Sequence, residues 1–569
     1  MPPESSNLNE GARTGAAAAR NRRRLLAALL AVLVLSGAAE VLYRAFWAVK
    51  GINFPPGGGD GYFSLYVVGE STAAGEPYAP GITLSALVRN LFGDRLQGRE
   101  IKEFDLARSG DSVYPQAVAL EQALRLRRGN APGVVLIYAG HNDAMRPHGL
   151  AVLEWFREKV LYRSMLLGDL SFYAEKIFPF LRVRTRQNYE HQLRRIVEMS
   201  LESGLVPILT VVASNMADID PGLFTDEAMD REGWKPLKHR LARAEMISIL
   251  EKGLALEEQG RQGEAIRYYA AQAGAYPQMR SYLEYRTGKC SQAQGRYAEA
   301  GEFYRQAVDV SSFDSFPRAT SRQKALIREL AKQYAVPLVD AVEIFEQNSP
   351  HGLLGSGLFS DGIHPNMTGY ILLANAYAGK ITGVFNAPAP RQWTGPEEVF
   401  RYFSYRKELQ ATALVTAGRF YFNIAAWHAW PVERLKLARA RFLSALELDP
   451  DSFPAWIALA WTEVALRGSL LSDRASLYWL LKHGLLAYHS GPYGITPGQL
   501  PEVLEKLASY GSPDTMIAKI PRGAALKHGI RAGNGGEYTL TLGQLLKILK
   551  TLYNPAAAGG YRSGAARRG

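Results

Sequence analysis

Three short segments of the chain carry residue types that can do chemistry, and the first is Gly69-Glu70-Ser71-Thr72. It directly follows the apolar run 65–68, which has the composition of a buried strand. In an open α/β sheet, ligands bind beyond the carboxyl ends of the strands, so Ser71 is placed where a site is expected. A serine hydroxyl becomes a nucleophile when a neighbouring base takes its proton. The structural alternative is that Ser71 caps the helix that follows.

The second segment is Ser360-Asp361-Gly362-Ile363-His364-Pro365, in the loop before the last predicted helix of the α/β region. Among the ten histidines, His364 alone has an acidic residue three positions before it. In a tight turn, that spacing lets the carboxylate accept from one ring nitrogen while the other nitrogen faces a nucleophile. The structural alternative is a capping aspartate beside a surface histidine.

The third segment is Tyr138-Ala139-Gly140-His141-Asn142-Asp143, which follows the apolar run 134–138. The Asn142 amide can donate to an oxyanion as negative charge develops on it. A metal site built from His141, Asp143 and His148 is an alternative, but its spacing fits no zinc pattern. We therefore predict no metal and no cofactor.

The elements that must position these segments alternate along the chain. Short apolar runs predict five strands, at 65–68, 101–106, 134–138, 206–212 and 336–339. Helical periodicity falls between and after them, at 83–92, 114–127, 186–203, 321–334 and 367–381. This rhythm predicts an α/β fold with a doubly wound parallel five-stranded sheet, divided into parts at 62–224 and 316–384.

The interruption at 225–315 predicts an all-α insert. GRQGEAIRYY (260–269) aligns with GRYAEAGEFY (295–304), which gives a 35-residue period close to that of tetratricopeptide repeats. A second helical region is predicted over 398–550, where residues 439–466 resemble two successive repeat helices joined by an Asp-Pro turn. Such repeats bind protein partners. Alternatively, the tyrosines of the insert could bind a polysaccharide by stacking against it. A third interpretation is that these side chains fill the space between helices.

The N-terminal region predicts a membrane anchor. A basic tail (1–24) precedes a largely apolar stretch (25–49), long enough to cross a bilayer, and a Pro/Gly-rich linker (50–61) follows. Positive charge before the span places the N-terminus in the cytoplasm and the catalytic region in the periplasm or outside the cell. A cleaved signal peptide, cut near Gly37-Ala38-Ala39, is the alternative. Residues 555–569 are predicted to be a disordered tail.

Composition narrows the classes of protein. The 569 residues are 47% hydrophobic and 21% charged, which excludes wholesale disorder. The net charge of +12 suits anionic surfaces, but no nucleic-acid motif accompanies it. The single cysteine, Cys290, excludes an intramolecular disulfide framework.

Taken together, the segments resemble the SGNH (GDSL-like) hydrolases. Four segments match that family's four blocks in order. They contain Ser71 after the first strand, Gly110 after the second, Asn142 after the third, and Asp361 with His364 before the last helix. The resemblance implies a flavodoxin-like three-layer sandwich. The repeats resemble those of a bacterial subgroup in which helices interrupt the hydrolase domain. One departure is Gly-Glu-Ser in place of the family's Gly-Asp-Ser, which places Glu70 in the turn.

The resemblance implies a serine esterase that forms an acyl-enzyme. Ser71, His364 and Asp361 would be the catalytic triad, and the oxyanion would bind the N–H groups of Ser71 and Gly110 and the Asn142 side chain. The substrate would be an acyl ester, by expectation an acetyl ester, of a carbohydrate or lipid. Two alternatives remain, an O-acyltransferase acting on envelope polysaccharide and a membrane-tethered scaffold with an inactive hydrolase domain. The segment GESTA also approaches the nucleophile elbow of α/β-hydrolases, which place their acid and histidine on different loops.

Overall fold

The structure is a computed structural model that describes most of the α/β and helical regions. The described ranges are 61–127, 130–144, 186–223, 243–310, 318–425 and 430–450, with shorter pieces within 31–45, 164–170, 428–466, 518–520 and 538–540. They fall into two compact units, one comprising Met1–Gly58 with Pro147–Arg184 and the other Gly59–Arg146 with Thr185–Gly569.

The larger unit contains a six-stranded sheet. Its strands are β1 (Tyr62–Gly69), β2 (Arg95–Leu96), β3 (Arg99–Asp105), β4 (Gly133–Tyr138), β5 (Val206–Val211) and β6 (Leu338–Asp340). They lie in the order β2-β3-β1-β4-β5-β6, and all neighbours are parallel except β2 with β3. The five predicted parallel strands are therefore present.

The sixth strand, β2, corrects the predicted count of five. It is two residues long and forms a hairpin with β3 through Gln97 and Gly98, both of which have positive φ. A strand this short carries no alternation of apolar and polar residues, so the sequence pattern does not reveal it.

The first four helices occupy the segments between strands. They are α1 (Ser71–Ala74), α2 (Leu84–Leu91), α3 (Val113–Leu126) and α4 (Arg186–Glu202). Strands β1 and β4 are buried along their whole length, as expected for the centre of a sheet covered on both faces. This arrangement brings the carboxyl ends of β1, β3 and β4 to one edge.

The part of the predicted insert that the structure describes, residues 243–310, is helical. Its described helices are α5 (Arg243–Glu258), α6 (Gln262–Ala275), α7 (Arg280–Ala293) and α8 (Tyr297–Val310). The same glycine–tyrosine contact occurs twice, 35 residues apart. A Cβ on Gly253 would lie 2.1 Å from the Tyr269 ring, and a Cβ on Gly288 would lie 2.6 Å from the Tyr304 ring. Both glycines therefore let a tyrosine of a neighbouring helix pack directly on the backbone.

The chain then returns to the sheet through α9 (Ser321–Gln333), α10 (Ala341–Gln347) and α11 (Met367–Phe385). Thr320 and Gln323 form a reciprocal capping box at the start of α9. The Asn366 side chain caps α11 by accepting from Gly369 N–H at 3.1 Å. Helices α2, α3, α4, α9 and α11 each begin within one residue of the predicted start.

The C-terminal region contains α12 (Pro396–Tyr402), α13 (Lys407–Ala425) and α14 (Val432–Leu448). The prediction that 398–550 is helical is wrong at two places, because β7 (Ala518–Ile520) pairs antiparallel with β8 (Tyr538–Leu540). Their aromatic and β-branched residues, such as Tyr538 and Thr539, favour strands. The rest of 470–550 lies outside the described residues.

No helix among the described residues is long and apolar enough to cross a membrane. Of the predicted anchor 25–49, only residue 31, residues 34–43 and residue 45 are described, and they are helical. Within the same unit, the Glu40 carboxylate accepts from Ser164 Oγ at 2.6 Å and from Leu166 N–H at 3.0 Å. The basic tail 1–24, most of the linker 50–61 and the tail 555–569 lie outside the described residues.

Candidate active site

Ser71, His364 and Asp361 form one hydrogen-bonded chain. His364 Nε2 lies 2.6 Å from Ser71 Oγ, and His364 Nδ1 lies 2.6 Å from Asp361 Oδ2. All three residues are buried, with Ser71 7% and His364 5% exposed. Segments nearly three hundred residues apart in sequence therefore meet at the edge of the sheet, as the sequence predicts.

The turn from β1 into α1 leaves the Ser71 hydroxyl available for the imidazole. The residue at the helix cap is Glu70, and Ser71 is the first residue of the helix. Helix α1 ends after four residues at Gly75, whose φ of 101° is left-handed. The capping alternative for Ser71 is therefore wrong, because its hydroxyl contacts His364 instead.

The loop that carries Asp361 and His364 is held in shape by its own backbone. Asp361 Oδ1 accepts from the N–H groups of Ile363 at 3.0 Å and His364 at 2.9 Å. Ser360 N–H donates to His364 carbonyl oxygen at 2.8 Å. The aspartate thus closes a tight turn with one oxygen and orients the imidazole with the other.

Burial and charge act in opposite directions on His364. Burial alone would lower its pKa, but the Asp361 carboxylate raises it through charge and through the hydrogen bond, and Glu76 adds a further negative charge. The net effect is a pKa above the usual value of 6.5. A raised pKa strengthens the imidazole as a base towards the serine proton.

Glu70, the residue before Ser71, has a defined role in the fold. Its Oε1 accepts from Gly140 N–H at 2.9 Å, and its Oε2 accepts from His141 N–H and Asn142 N–H, both at 3.1 Å. Burial and the nearby Asp143 raise its pKa well above the usual value, while the three amide donors act in the opposite direction. Glu70 therefore ties the turn after β1 to the loop after β4.

The predicted oxyanion donors lie on loops that are tied together. Asn142 Nδ2 donates to Asp111 carbonyl oxygen at 2.7 Å, which joins the loop after β4 to the loop after β3. Val113 N–H, at the start of α3, donates to Asp143 Oδ2 at 2.8 Å. Gly110 lies in the loop after β3 with a φ of 83°, and it is exposed.

His141 faces the interior. Its Nδ1 accepts from Ala319 N–H at 3.3 Å, so this nitrogen carries no proton. Burial, with the positive charge of Lys324, lowers its pKa to about 3. Within the described ranges, no group of three potential metal ligands comes together. His148, the third residue of the metal alternative, lies outside the described residues.

Several supporting residues escaped prediction. Asn215, after β5, donates its N–H to Gly362 carbonyl oxygen at 2.9 Å and its side-chain amide to Asp361 carbonyl oxygen at 3.3 Å. Gln116 on α3 accepts from Gly69 N–H at 3.0 Å. The only sequence signal for Asn215 is its place just beyond a predicted strand end.

The C-terminal region also reaches the site, although the sequence predicts it to be a separate helical region. Phe420 on α13 contacts His364, with ring centroids 5.6 Å apart at an angle of 82°. The next residue, Tyr421, donates its hydroxyl to Ser360 carbonyl oxygen at 3.3 Å. No periodic pattern in the sequence indicates this contact.

Comparison with known proteins returns distant structural similarities. No protein-family description matches the chain, and no curated protein matches its sequence. Among solved structures, it is similar to a GDSL-like lipase from Bacteroides thetaiotaomicron (10% identity, 57% of this chain and 87% of that chain, TM-score 0.25). It is also similar to a lipase/acylhydrolase from Enterococcus faecalis (12% identity, 58% of this chain and 99% of that chain, TM-score 0.25). A third similar structure is an acetylxylan esterase from Geobacillus stearothermophilus (14% identity, 56% of this chain and 94% of that chain, TM-score 0.27). At these values, the activities of those proteins do not transfer to this chain.

Proposed function

We propose that this protein is a serine esterase that cleaves acyl esters through an acyl-enzyme. The observation that carries the proposal is the pair of 2.6 Å contacts joining Ser71 Oγ, the His364 imidazole and the Asp361 carboxylate. A nucleophile in contact with a base, which is itself held by a third group, is the arrangement that activates a serine hydroxyl.

In the first step, Ser71 Oγ attacks the ester carbonyl carbon while His364 Nε2 takes its proton. The tetrahedral intermediate collapses, the ester C–O bond breaks, and the alcohol leaves with the proton that Nε2 returns. Water then repeats the sequence on the acyl-enzyme, releasing the acid and restoring the Ser71 hydroxyl. Asp361 stabilises the imidazolium that forms in each half of the reaction.

The oxyanion would be stabilised by the N–H groups of Ser71 and Gly110 and by the side chain of Asn142. This assignment is supported by the tie between the loops of Asn142 and Gly110 through Asp111 carbonyl oxygen. Removing one such donor typically costs about 3–4 kcal/mol in the transition state.

The proposal is tested by replacing Ser71 in the full-length protein. Ser71→Ala should lower p-nitrophenyl acetate turnover by at least about 10³-fold while leaving the unfolding temperature nearly unchanged. Ser321→Ala is the matched control, because Ser321 is also the first residue of its helix but is exposed. Unchanged turnover in the Ser71 variant would refute the esterase proposal.

The finer assignment is also a proposal. We infer an acyl ester of a carbohydrate or lipid, with acetyl as the expected acyl group, and an N-terminal anchor at 25–49 that holds the catalytic region outside the cytoplasm. The support is the apolar stretch after a basic tail, together with the resemblance of the four sequence blocks. The insert, whose glycine–tyrosine contact recurs at the 35-residue period, is proposed to be tetratricopeptide-like and to bind a protein partner.

A further inference from the structure

Helices α13 and α14 hold the loop that carries the candidate acid and base. Tyr421 on α13 bonds Ser360 carbonyl oxygen at 3.3 Å, and Arg441 on α14 donates to Phe359 carbonyl oxygen at 3.1 Å. The two helices pack closely, because a Cβ on Gly418 would lie 2.5 Å from the Phe442 ring. This helical hairpin is therefore one wall of the site.

Phe420 is the side chain that this wall presents to the imidazole. Its ring stands almost perpendicular to the His364 ring with centroids 5.6 Å apart, and it is half-buried, whereas His364 is only 5% exposed. The half-buried Glu76 also lies close enough to His364 to act on it electrostatically. An aromatic ring and a carboxylate, both half-buried, thus lie near the candidate catalytic imidazole.

The direction of proton transfer decides which part of a substrate this ring meets. His364 Nε2 must hand its proton to the leaving oxygen of the ester, so the alcohol has to lie against the imidazole. The carbonyl oxygen instead points to the donors on the loops after β3 and β4. A ring on the same side of the imidazole as the leaving oxygen would contact the alcohol rather than the oxyanion.

We propose that Phe420 is a specificity-determining residue that binds the alcohol part of the ester, and that this alcohol is a ring alcohol such as a sugar. An aromatic face packs well against the C–H face of a saturated ring, which removes apolar surface from water. Glu76 supplies a hydrogen-bond acceptor for hydroxyl groups, as it already accepts from Ser109 Oγ at 3.0 Å. The inference rests on the proposed esterase function and adds the class of alcohol to it.

The test separates the alcohol from the acyl group. Full-length wild type and Phe420→Ala are assayed by acid release on two series of esters. The first varies the alcohol, with methyl, cyclohexyl and glucose acetates. The second varies the acyl group, with methyl acetate, methyl butyrate and methyl octanoate. We expect kcat/KM for the two ring alcohols to fall about tenfold, mainly through KM. We expect the methyl esters to change by less than about threefold at every acyl length.

Two controls make the result specific. Phe420→Tyr keeps the aromatic face and should retain the preference for ring alcohols. Leu409→Ala removes an exposed side chain on the same helix, about 16 Å along its axis from residue 420, and should leave both series unchanged. Three outcomes would overturn the inference. In Phe420→Ala, kcat/KM could fall equally on all esters, or its fall could follow acyl length. The third is that Phe420→Tyr fails to retain the preference for ring alcohols. If the wild type instead hydrolyses none of the esters, it is the esterase proposal that fails.

Discussion

Asp361 uses its two carboxylate oxygens for different tasks. Oδ1 accepts the backbone N–H groups of Ile363 and His364, and Oδ2 faces His364 Nδ1. The same residue therefore sets the backbone turn and the tautomer of the imidazole, which leaves Nε2 free to accept the proton of Ser71.

This arrangement predicts the pH dependence of the reaction. Because Asp361 and Glu76 raise the pKa of His364 above 6.5 against the effect of burial, the acid limb of the kcat/KM profile should have an apparent pKa above 6.5. Below that pH the imidazole is protonated and cannot act as the base. Asp361→Asn should shift the limb to lower pH, since burial then dominates, and should lower kcat by about 10⁴-fold. An acid limb that stays in place in this variant would show that Asp361 does not control the imidazole.

The prediction of these residues from sequence has a physical basis. Ser71 and Asn142 follow continuous apolar runs, and the ends of neighbouring parallel strands must meet at one sheet edge. Asp361 and His364 are close in sequence, so a local turn suffices to join them. The contacts of Glu70 and Asn215 could not be predicted, because each bonds backbone groups on another loop, and no spacing in the sequence specifies such a bond.

At the scale of elements, the junction of β1 and α1 depends on a close approach of two strands. A Cβ on Gly69 would lie 2.2 Å from Tyr138 carbonyl oxygen and 2.7 Å from Ala73 Cβ. Both β1 and β4 are central strands, so neither backbone can move away without disturbing the sheet. Only glycine fits at this position.

Gly69→Ala is therefore expected to be destabilising. The free energy of unfolding should fall by at least about 2 kcal/mol, as for overpacking in a closed core, and turnover should fall with it because Ser71 lies two residues away. Gly379→Ala is the control: this glycine lies within α11 with no atom near its would-be Cβ, and alanine there should stabilise by about 0.5–1 kcal/mol. Urea unfolding of the three proteins measures both changes. Equal stability of the Gly69 variant and wild type would contradict the close approach.

Element prediction succeeds and fails for identifiable reasons. Five helices of the α/β region are predicted to within a residue at their starts, because caps such as Thr320 and Asn366 are local signals. The short helices α1 and α10 are not predicted. The short β2 and the pair β7 and β8 are missed, since two or three residues carry no measurable periodicity. The packing of α13 against the loop of His364 is tertiary, and helical periodicity does not identify the partner of a buried face.

At the scale of the whole molecule, the C-terminal helices are joined to the α/β region by a buried cluster of polar side chains around Asp220. Arg434 Nε on α14 lies 2.7 Å from Asp220 Oδ1 in the segment after β5, and His428 Nε2 lies 2.9 Å from Asp220 Oδ2. Burial alone would raise the pKa of Asp220, but Arg434 and His428 hold it below its usual value. The stability contributed by Asp220 is therefore present above about pH 4 and is lost as the pH falls through the lowered pKa.

Breaking this cluster should destabilise the whole larger unit. Arg434→Leu leaves the Asp220 charge buried without its guanidinium partner, so the free energy of unfolding should fall by about 3 kcal/mol at neutral pH. Lys436→Ala removes an exposed ion pair with Glu433 on the same helix. This control should change the free energy of unfolding by less than about 0.5 kcal/mol. Thermal and urea unfolding at pH 7 compare the variants. If Arg434→Leu matches the Lys436 control, the cluster does not hold the C-terminal helices in place.

The central claim is that the imidazole of His364 activates the hydroxyl of Ser71, and the most direct measurement is covalent labelling with a fluorophosphonate. Full-length protein is treated with the reagent, digested, and mapped by mass spectrometry. We predict one adduct, on Ser71, that forms rapidly in the wild type and is lost in His364→Ala. An unlabelled Ser71, or an adduct that forms equally fast without the imidazole, would contradict the account.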